Sequence, residues 1–299
     1  MSTGRSGKGR GKASGAGTII NAIATYKGSA FGIDLWTYAE VELGEDFKGI
    51  EGEIEQAAGI QADTRLIERC VELVLTKFDL PLRAHVKTRS EIPIGSGLKS
   101  SSAAANATVV AALDAIGGEA KGAIGALEAI RIGVDAALDV GVSITGAFDD
   151  ACASALGGIV ITDNKKRELI KRVEKESAVL IFVPRTKAFT ADTNVKRSRL
   201  IAPWVKHAYE WALGGRFEEA MTLNGFLYCA ALHFDPEPML TALECGVKGV
   251  SLSGTGPSFV ALVGDDTEKE ERLRAAWHEL KLEGKVIKRQ INNRPILSF

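Results

Sequence analysis

Residues 91–106 read EIPIGSGLKSSSAAAN, a glycine-containing loop that leads into a serine cluster and an alanine-rich helical pattern. Gly95 and Gly97 can reach backbone angles that other residues avoid, so a ligand can approach the main chain closely. The serines at positions 100–102 offer an N-cap and free hydroxyls where the helix begins. Because the first turn of a helix carries unpaired N–H groups and about half a positive charge, the stretch predicts an anion-binding site. A plain helix start after a turn is the alternative.

This loop is not a P-loop, since the chain contains no G-x-x-x-x-G-K-[ST] string and Lys99 follows a leucine. It resembles the second motif of the GHMP kinases, P-x-x-x-G-L-G-S-S-A-A. The positions that match are Pro93, Gly97, Leu98, Ser100, Ser101 and Ala103. Lys99 departs from the motif, because it puts a side chain where the family usually brings bare backbone to the phosphates.

The composition predicts a globular protein with room for two domains. The chain has 299 residues, of which 45% are hydrophobic, and a net charge of −1. This even charge balance argues against nucleic acid or a membrane surface as a partner. No apolar stretch approaches the ~18 residues of a membrane span. We therefore predict a cytoplasmic protein.

The first dozen residues differ in composition from the rest of the chain. Arg5, Lys8, Arg10 and Lys12 lie among glycines and serines, with no apolar run behind them. A secretory signal requires such a run. We therefore predict a flexible basic tail over residues 1–12.

Strands come before helices in the first half of the chain. The residue patterns predict strands over 18–25 and 32–42, joined by a turn at Gly28-Ser29. Alanine-rich segments predict helices over 101–116 and 123–140. Strands and helices that are segregated in this way favour α+β layers over a doubly wound parallel sheet.

The charged run at residues 163–168 has the composition of a hairpin tip or a domain junction. We place a boundary near residue 165, which predicts one domain over residues 13–165 and a second over residues 166–299. The second half also mixes strand and helix patterns, so both domains are expected to be α+β.

A second motif, GVSITGAFDDA at residues 141–151, places adjacent carboxylates behind a Thr-Gly turn in apolar surroundings. A carboxylate there could accept or orient a hydroxyl proton, or it could simply cap a helix. The segment resembles the S-G-x-D-N-A stretch of the GHMP kinases, with Thr145, Gly146, Asp149, Asp150 and Ala151 in those places after a one-residue insertion. The resemblance implies that Asp149 is the catalytic aspartate.

A third motif, SLSGTGPS at residues 251–258, lies between two strand patterns, where its N–H groups could meet a phosphate or brace the first loop. It is similar to the family's third motif, so three segments match in family order. The resemblance implies ATP and Mg²⁺ as cofactors. It also implies a ribosomal-S5-like N-terminal domain and a ferredoxin-like C-terminal domain.

The first and third motifs together assign the residues that bind ATP. They are Pro93, Ile94, Gly95, Ser96, Gly97, Leu98, Lys99, Ser100, Ser101, Ser102, Gly254 and Gly256. The resemblance also makes Ser101 a metal ligand. The family's metal-binding glutamate would fall at Ala137 or Leu138, so its role stays open among Asp135, Asp139, Asp150 and water.

The acceptor is predicted from residues 15–35 and from the string ITGAFDDA at residues 144–151. Both resemble the archaeal shikimate kinases, the branch of the family that phosphorylates the 3-hydroxyl of shikimate. On that basis Lys27, Ser29 and Asp34 are predicted substrate contacts, a cation for the carboxylate and polar groups for the hydroxyls. Thr145 is a further predicted contact. A strand-turn-strand with Lys27 in solvent is the alternative.

A basic group, Arg185 and Lys187, follows the first strand pattern of the second domain. These side chains could hold the substrate carboxylate or the phosphoryl group, because both can pair with anionic oxygens. A solvated loop is the alternative.

Two other functions stay open. The protein could be another small-molecule kinase of this family, one that acts on homoserine or a mevalonate-like acceptor. Such a kinase would share ATP binding, and its contacts to the acceptor would differ at residues 26–34. It could also be a nucleotide-binding regulator that kept the fold and lost turnover, with Lys99 and the missing glutamate as its marks. The Thr-Gly-x-x-Asp segment at residues 145–149 argues against the second.

Overall fold

The computed structural model describes residues 6–55, 63–117, 123–185 and 194–296. Its strands are β1 (Gly7–Ile20), β2 (Lys27–Leu43), β3 (Ile50–Glu55), β4 (Ala84–Ser90), β5 (Ile159–Asp163), β6 (Glu168–Val173), β7 (Ala178–Pro184), β8 (Gly249–Leu252), β9 (Phe259–Gly264) and β10 (Gly284–Gln290). Its helices are α1 (Arg65–Lys77), α2 (Ser100–Ile116), α3 (Ala126–Asp139), α4 (Phe148–Leu156), α5 (Val195–Leu200), α6 (Ala202–Leu213), α7 (Phe217–Leu232), α8 (Glu237–Glu244) and α9 (Thr267–Glu279). None of the helices in these ranges is long and apolar enough to cross a bilayer.

The long strand β2 organises the first sheet. One edge of β2 pairs antiparallel with β1. The other edge pairs with β4 over residues 37–43 and with β5 over residues 27–31. The outer strands β3 and β6 complete the order β3-β4-β2-β5-β6. Helices α2 and α4 pack on β1 and β2, and α3 packs on α2, so the helices that carry the motifs share one layer.

The second sheet is antiparallel, with the strand order β10-β7-β9-β8. Helices α5 to α8 lie between β7 and β8 in the chain, and α9 lies between β9 and β10, which is the arrangement of a ferredoxin-like split βαβ fold. After β10 the chain returns to the first sheet, where Ile291 bridges to Ile33. The prediction of an α+β fold in two domains, the second of them ferredoxin-like, is confirmed.

The predicted flexible tail is wrong for residues 7–12, which form the first part of β1. Every second residue from Gly7 to Gly11 is glycine, and a Cβ on any of them would overlap the backbone of α2. The residues between them are basic, and Lys8 and Arg10 form ion pairs with glutamates of β2 at 3.0 Å each. The alternation is therefore that of a strand with one face packed and one face in solvent.

Two further boundaries differ from the prediction. The turn lies over residues 22–25, earlier than predicted, and both Gly28 and Ser29 belong to β2. The first sheet continues beyond residue 165, because β6 pairs antiparallel with β5. We therefore propose a domain boundary after β6, since a cut near residue 165 would divide the sheet.

Candidate active site

The N-termini of α2 and α4 open onto one cavity of about 460 Å³. It is lined by parts of the turn after β1, the loop before α2, the loop before α4 and the loop between β8 and β9. The three motifs, which are far apart in sequence, therefore meet at one place.

The loop before α2 has the geometry expected of a phosphate cradle. Gly95, Gly97 and Lys99 have φ angles of 68°, 78° and 66°, in the left-handed region that glycine favours. Residues 100–102 follow as the first turn of α2 and line the cavity. The first N–H groups of a helix have no partner inside the helix and carry partial positive charge, so this turn can bind an anion.

The loop between β8 and β9 braces the cradle. The hydroxyl of Ser253 donates a hydrogen bond to the carbonyl of Gly97 at 2.9 Å, and the N–H of Ser258 donates to the carbonyl of Ser96 at 3.2 Å. A Cβ on Gly97 would overlap the carbonyl of Ser253, so only glycine fits there. The N–H of Gly254 donates to a threonine of β1 at 2.8 Å. The third motif therefore fixes the position of the first.

Asp149 lies in the first turn of α4 and is 4% exposed. Its Oδ1 accepts a hydrogen bond from Nδ2 of Asn164 at 2.7 Å, and its N–H donates to Oδ1 of the same amide at 3.2 Å. The hydroxyl of Thr162 also donates to that Oδ1, at 2.7 Å, and so fixes the orientation of the amide. The second carboxylate oxygen of Asp149 lies against Gly28 of β2, where a Cβ would overlap it. The carboxylate is therefore held from two sides.

The surroundings of Asp149 raise its affinity for a proton. Burial raises the pKa of the carboxyl to about 7, and the neighbouring charge of Asp150 adds to the rise. The ammonium of Lys99 and the amide of Asn164 act on this pKa in the opposite direction. A carboxyl whose pKa lies near the working pH is well suited to accept a hydroxyl proton. Asp149 therefore has the properties of a general base.

Lys99 and Asp150 form an ion pair inside the cavity, with Nζ and Oδ2 3.0 Å apart. The two side chains are only 10% and 11% exposed. The other carboxylate oxygen of Asp150 is buried and has no hydrogen-bond partner among the described residues. Asp150 therefore brings a buried acceptor atom without a partner among the described residues to the wall of the cavity.

Most of the residues predicted to bind ATP line the cavity. They are Ile94, Gly95, Gly97, Lys99, Ser100, Ser101, Ser102 and Gly254. The other predicted residues shape the loops behind it. The hydroxyl of Ser96 donates to the carbonyl of Pro93 at 2.6 Å, Leu98 is buried in the core, and Gly256 packs on the ring of Phe234.

The structure brings Thr145 to the cavity but places the predicted substrate contacts on β2 elsewhere. Ser29 is fully buried, and its hydroxyl donates to a carbonyl of β5 at 2.8 Å. Lys27 forms an ion pair with Asp163 at 2.5 Å. Asp34 accepts a hydrogen bond from a backbone N–H of β10 at 2.7 Å. The predicted turn at Gly28-Ser29 and the predicted ligand contacts beside it belong instead to the paired strand β2, whose side chains at these positions contact other parts of the fold.

The basic group after β7 also lies away from the cavity as far as the structure describes it. Arg185 is exposed and forms an ion pair with Glu283 at 2.7 Å. Lys187 lies outside the described residues. Arg185 therefore contacts the residue directly before β10 rather than the site.

Two of the carboxylates considered for the metal have other partners. Asp135 pairs with an arginine at 2.6 Å and Asp139 with another at 2.7 Å, whereas Asp150 lines the cavity. Ala137, one of the two positions at which the resemblance predicts the family's metal-binding glutamate, also lines it. Within the described ranges, no cluster of three or more His, Cys, Asp or Glu side chains could hold a metal ion. A metal here would have to take most of its ligands from a bound nucleotide or from water.

Two asparagines that the sequence patterns did not indicate hold the site together. Asn164 lies in the charged run that was interpreted as a hairpin tip. Asn21 follows β1, and its Nδ2 donates to the carbonyl of Gly254 at 2.7 Å, which ties the turn after β1 to the third motif. The one signal for Asn164 was a short polar residue directly after a buried strand, a common place for site residues.

We expect Asn164→Ala to shift the pH dependence of activity. The hydrogen bond from Asn164 favours the ionised form of Asp149, so its loss should raise the pKa of Asp149 further. The acidic limb of kcat/KM should therefore move to higher pH, and kcat should fall roughly tenfold, since a lost buried hydrogen bond costs about 1–3 kcal/mol.

The matched control is Asn293→Ala, which removes amide hydrogen bonds outside the cavity. A pH profile of kcat/KM for both variants is the measurement. An acidic limb that stays at the wild-type pH in Asn164→Ala would contradict the orienting role.

Two protein-family models match this chain. The model described as "GHMP kinases N terminal domain" matches residues 65–158, and the model described as "GHMP kinases C terminal" matches residues 209–281. The chain belongs to the GHMP kinase family. Its first matched region contains both helix N-termini and Asp149.

The sequences of relatives align with this GHMP kinase over nearly its whole length. Proteins named shikimate kinase from Methanosarcina mazei and Methanosarcina acetivorans are 64% and 63% identical, over 95% of this chain and 94% of each relative. Among solved structures, mevalonate kinase from Methanococcus jannaschii superposes with a TM-score of 0.74 at 16% identity. That superposition covers 95% of this chain and 98% of that one, and it supports the fold alone.

Proposed function

We propose that this GHMP kinase transfers the γ-phosphoryl group of ATP to the 3-hydroxyl of shikimate. The observation that carries the proposal is the identity of 64% and 63% to proteins named shikimate kinase, over almost the full length of each chain. The cavity supports the same reaction, because it combines an anion-binding helix N-terminus with a buried carboxylate.

The cradle and Asp149 have separate roles in phosphoryl transfer. The phosphates of ATP lie along residues 95–101, where the N–H groups of α2 neutralise part of their charge. Asp149 orients the acceptor hydroxyl and takes its proton as the new oxygen–phosphorus bond forms. Since phosphoryl transfer needs little covalent help from a protein, positioning and charge neutralisation supply most of the rate. Thr145, which lines the cavity near Asp149 in sequence, is our candidate for a contact to the acceptor.

The residues in the cavity fit a Mg²⁺ ion that is shared with the nucleotide. Ser101 lines the cavity, and the buried Oδ1 of Asp150 has no partner among the described residues. A hydroxyl and one carboxylate oxygen suit Mg²⁺, which usually keeps several waters and phosphate oxygens as ligands. The ion would neutralise charge on the phosphates when it is bound.

The test is ADP release from ATP and Mg²⁺ in the presence of shikimate, homoserine, mevalonate or no acceptor. We expect turnover with shikimate only, with one phosphorylated product per ADP and the phosphate on the 3-hydroxyl by ³¹P NMR. Turnover with homoserine or mevalonate would keep the site and overturn the acceptor. Binding of ATP without turnover of any acceptor would indicate the regulator instead.

A further inference from the structure

Lys99 lies in the cradle at a position that suits glycine better than lysine. Its φ of 66° is in the left-handed region, where residues with a side chain are strained. Its Nζ lies so close to Gly254 that a Cβ on that glycine would come within 2.8 Å of it. A glycine at position 99 would relieve the backbone strain. What the lysine adds at this position is its ammonium group.

That ammonium lies where the backbone is already positive. Lys99 directly precedes α2, and its partner Asp150 lies in the first turn of α4, so both helix N-termini are nearby. A buried ion pair adds little net stability, because the desolvation of both charges offsets their attraction. A cation beside two helix N-termini is therefore better explained by a further anion in the cavity than by the stability of the pair.

We propose that Lys99 is a catalytic residue whose ammonium contacts the phosphoryl group during its transfer, and that Asp150 is the positioning residue that holds this ammonium in place. The inference rests on the proposed function, since it requires phosphoryl transfer in this cavity. Lys99 begins the helix that holds the phosphates, and its partner is adjacent in sequence to Asp149. Its charge is also near enough to Asp149 to oppose the rise of that pKa.

The chemical step balances without any change in Lys99. The acceptor oxygen forms a bond to the γ-phosphorus, and its proton passes to Asp149. The bond from the γ-phosphorus to the bridging oxygen breaks, and ADP leaves with that electron pair. The ammonium of Lys99 neutralises charge on the oxygens of the phosphoryl group, where a fixed cation is most effective.

The first test compares Lys99→Met with Lys175→Met. Lys175 forms a half-buried ion pair with Glu218 at 2.8 Å outside the cavity, so it controls for the loss of a paired lysine. We expect Lys99→Met to lower kcat by roughly 10²–10³-fold, the range for removing one group that stabilises transition-state charge. The KM for shikimate should change by less than about threefold, because the lysine acts on the phosphoryl group and not on the acceptor.

A binding measurement separates this role from a structural one. Calorimetric titration with ADP and with a non-hydrolysable ATP analogue should show that Lys99→Met loses affinity for the analogue alone, because ADP lacks the phosphoryl group. Lys175→Met should bind both as the wild type does. A lysine that only braced the loops would weaken both nucleotides equally, and that result would overturn the proposal.

Chemical rescue gives an independent readout. In Lys99→Ala, added ethylammonium should restore part of kcat in a saturable way, whereas uncharged ethanol should not. In Asp150→Asn the ammonium stays but loses its anchor, so at a Mg²⁺ concentration that saturates the variant we expect kcat to fall by about tenfold from misplacement, without rescue by ethylammonium. Wild-type kcat in Lys99→Met would contradict the role directly.

Failure of the proposed function would look different. In one case the wild type would turn over another acceptor, and the same variants would then be measured with that acceptor. In the second case the wild type would show no turnover. The ratio of analogue to ADP affinity would then still test the contact of Lys99 with the third phosphate. If circular dichroism shows that Lys99→Met does not fold, Lys99→Arg and Asp150→Asn replace it in the same measurements.

Discussion

Replacement of Asp149 by asparagine is expected to lower kcat by roughly 10²–10⁴-fold, the usual contribution of a general base. The asparagine has the same shape and can still accept the hydrogen bond from Nδ2 of Asn164, so the fold and the cradle should be unchanged. ATP affinity should therefore stay near the wild-type value in a calorimetric titration. The substitution removes the capacity to accept the acceptor proton, together with the negative charge of the carboxylate.

The matched control is Asp139→Asn, which also removes a carboxylate but one that pairs with an arginine outside the cavity. It should retain wild-type kcat with shikimate. A loss as large as that of Asp149→Asn would mean that Asp139 takes part in the site, and wild-type turnover in Asp149→Asn would exclude Asp149 as the base.

The raised pKa of Asp149 gives the same variant a signature in stability. Its pKa of about 7 in the folded chain lies above the ordinary carboxyl value of 3.8, so the protonated group stabilises the fold at low pH. This contribution is lost as the pH rises from about 4 towards 7, because the unfolded chain ionises first. Asp149→Asn lacks this dependence. The melting temperature should therefore fall less between pH 5 and pH 8 in the variant than in the wild type.

The parts of the site that could be predicted from the sequence are those encoded locally. The cradle at residues 95–102 and the turn before Asp149 each combine a glycine, a polar residue and a helix start within a few positions. Such a segment largely sets its own backbone, and the structure places both at the cavity. In addition, the three segments that match the family's motifs occur along the chain in the family's order.

The parts that failed depend on segments that are distant in sequence. The strand at residues 7–12 resembles a tail because its glycines serve only to let α2 pack against them, and α2 lies about a hundred residues later. Ser29 could equally have faced a ligand or a neighbouring strand, and the pairing of β2 with β5 decided this. Asn164 acts on a carboxylate on a different element, so nothing in its own segment identified the role.

Gly28→Ala is the second substitution for which we expect a large effect on catalysis. A Cβ at this position would come within 2.6 Å of Cγ of Asp149 and overlap its carboxylate. Gly28 pairs with Thr162 across the sheet, so the backbone cannot easily retreat, and the carboxylate must move instead. A displacement of about 1 Å can cost roughly 10²-fold in rate, which is the loss of kcat that we expect, with ATP affinity unchanged.

Gly49→Ala is the control, because a Cβ there would meet nothing within 4 Å. It should keep wild-type kcat, whereas wild-type kcat in Gly28→Ala would show that Asp149 is not held against β2. The double variant Gly28→Ala/Asp149→Asn decides whether the glycine acts through the aspartate. Residues that act as a unit are strongly non-additive, so the second substitution should then cost little more than the first. Additive losses would instead mean that Gly28→Ala damages the site by a route that does not pass through Asp149.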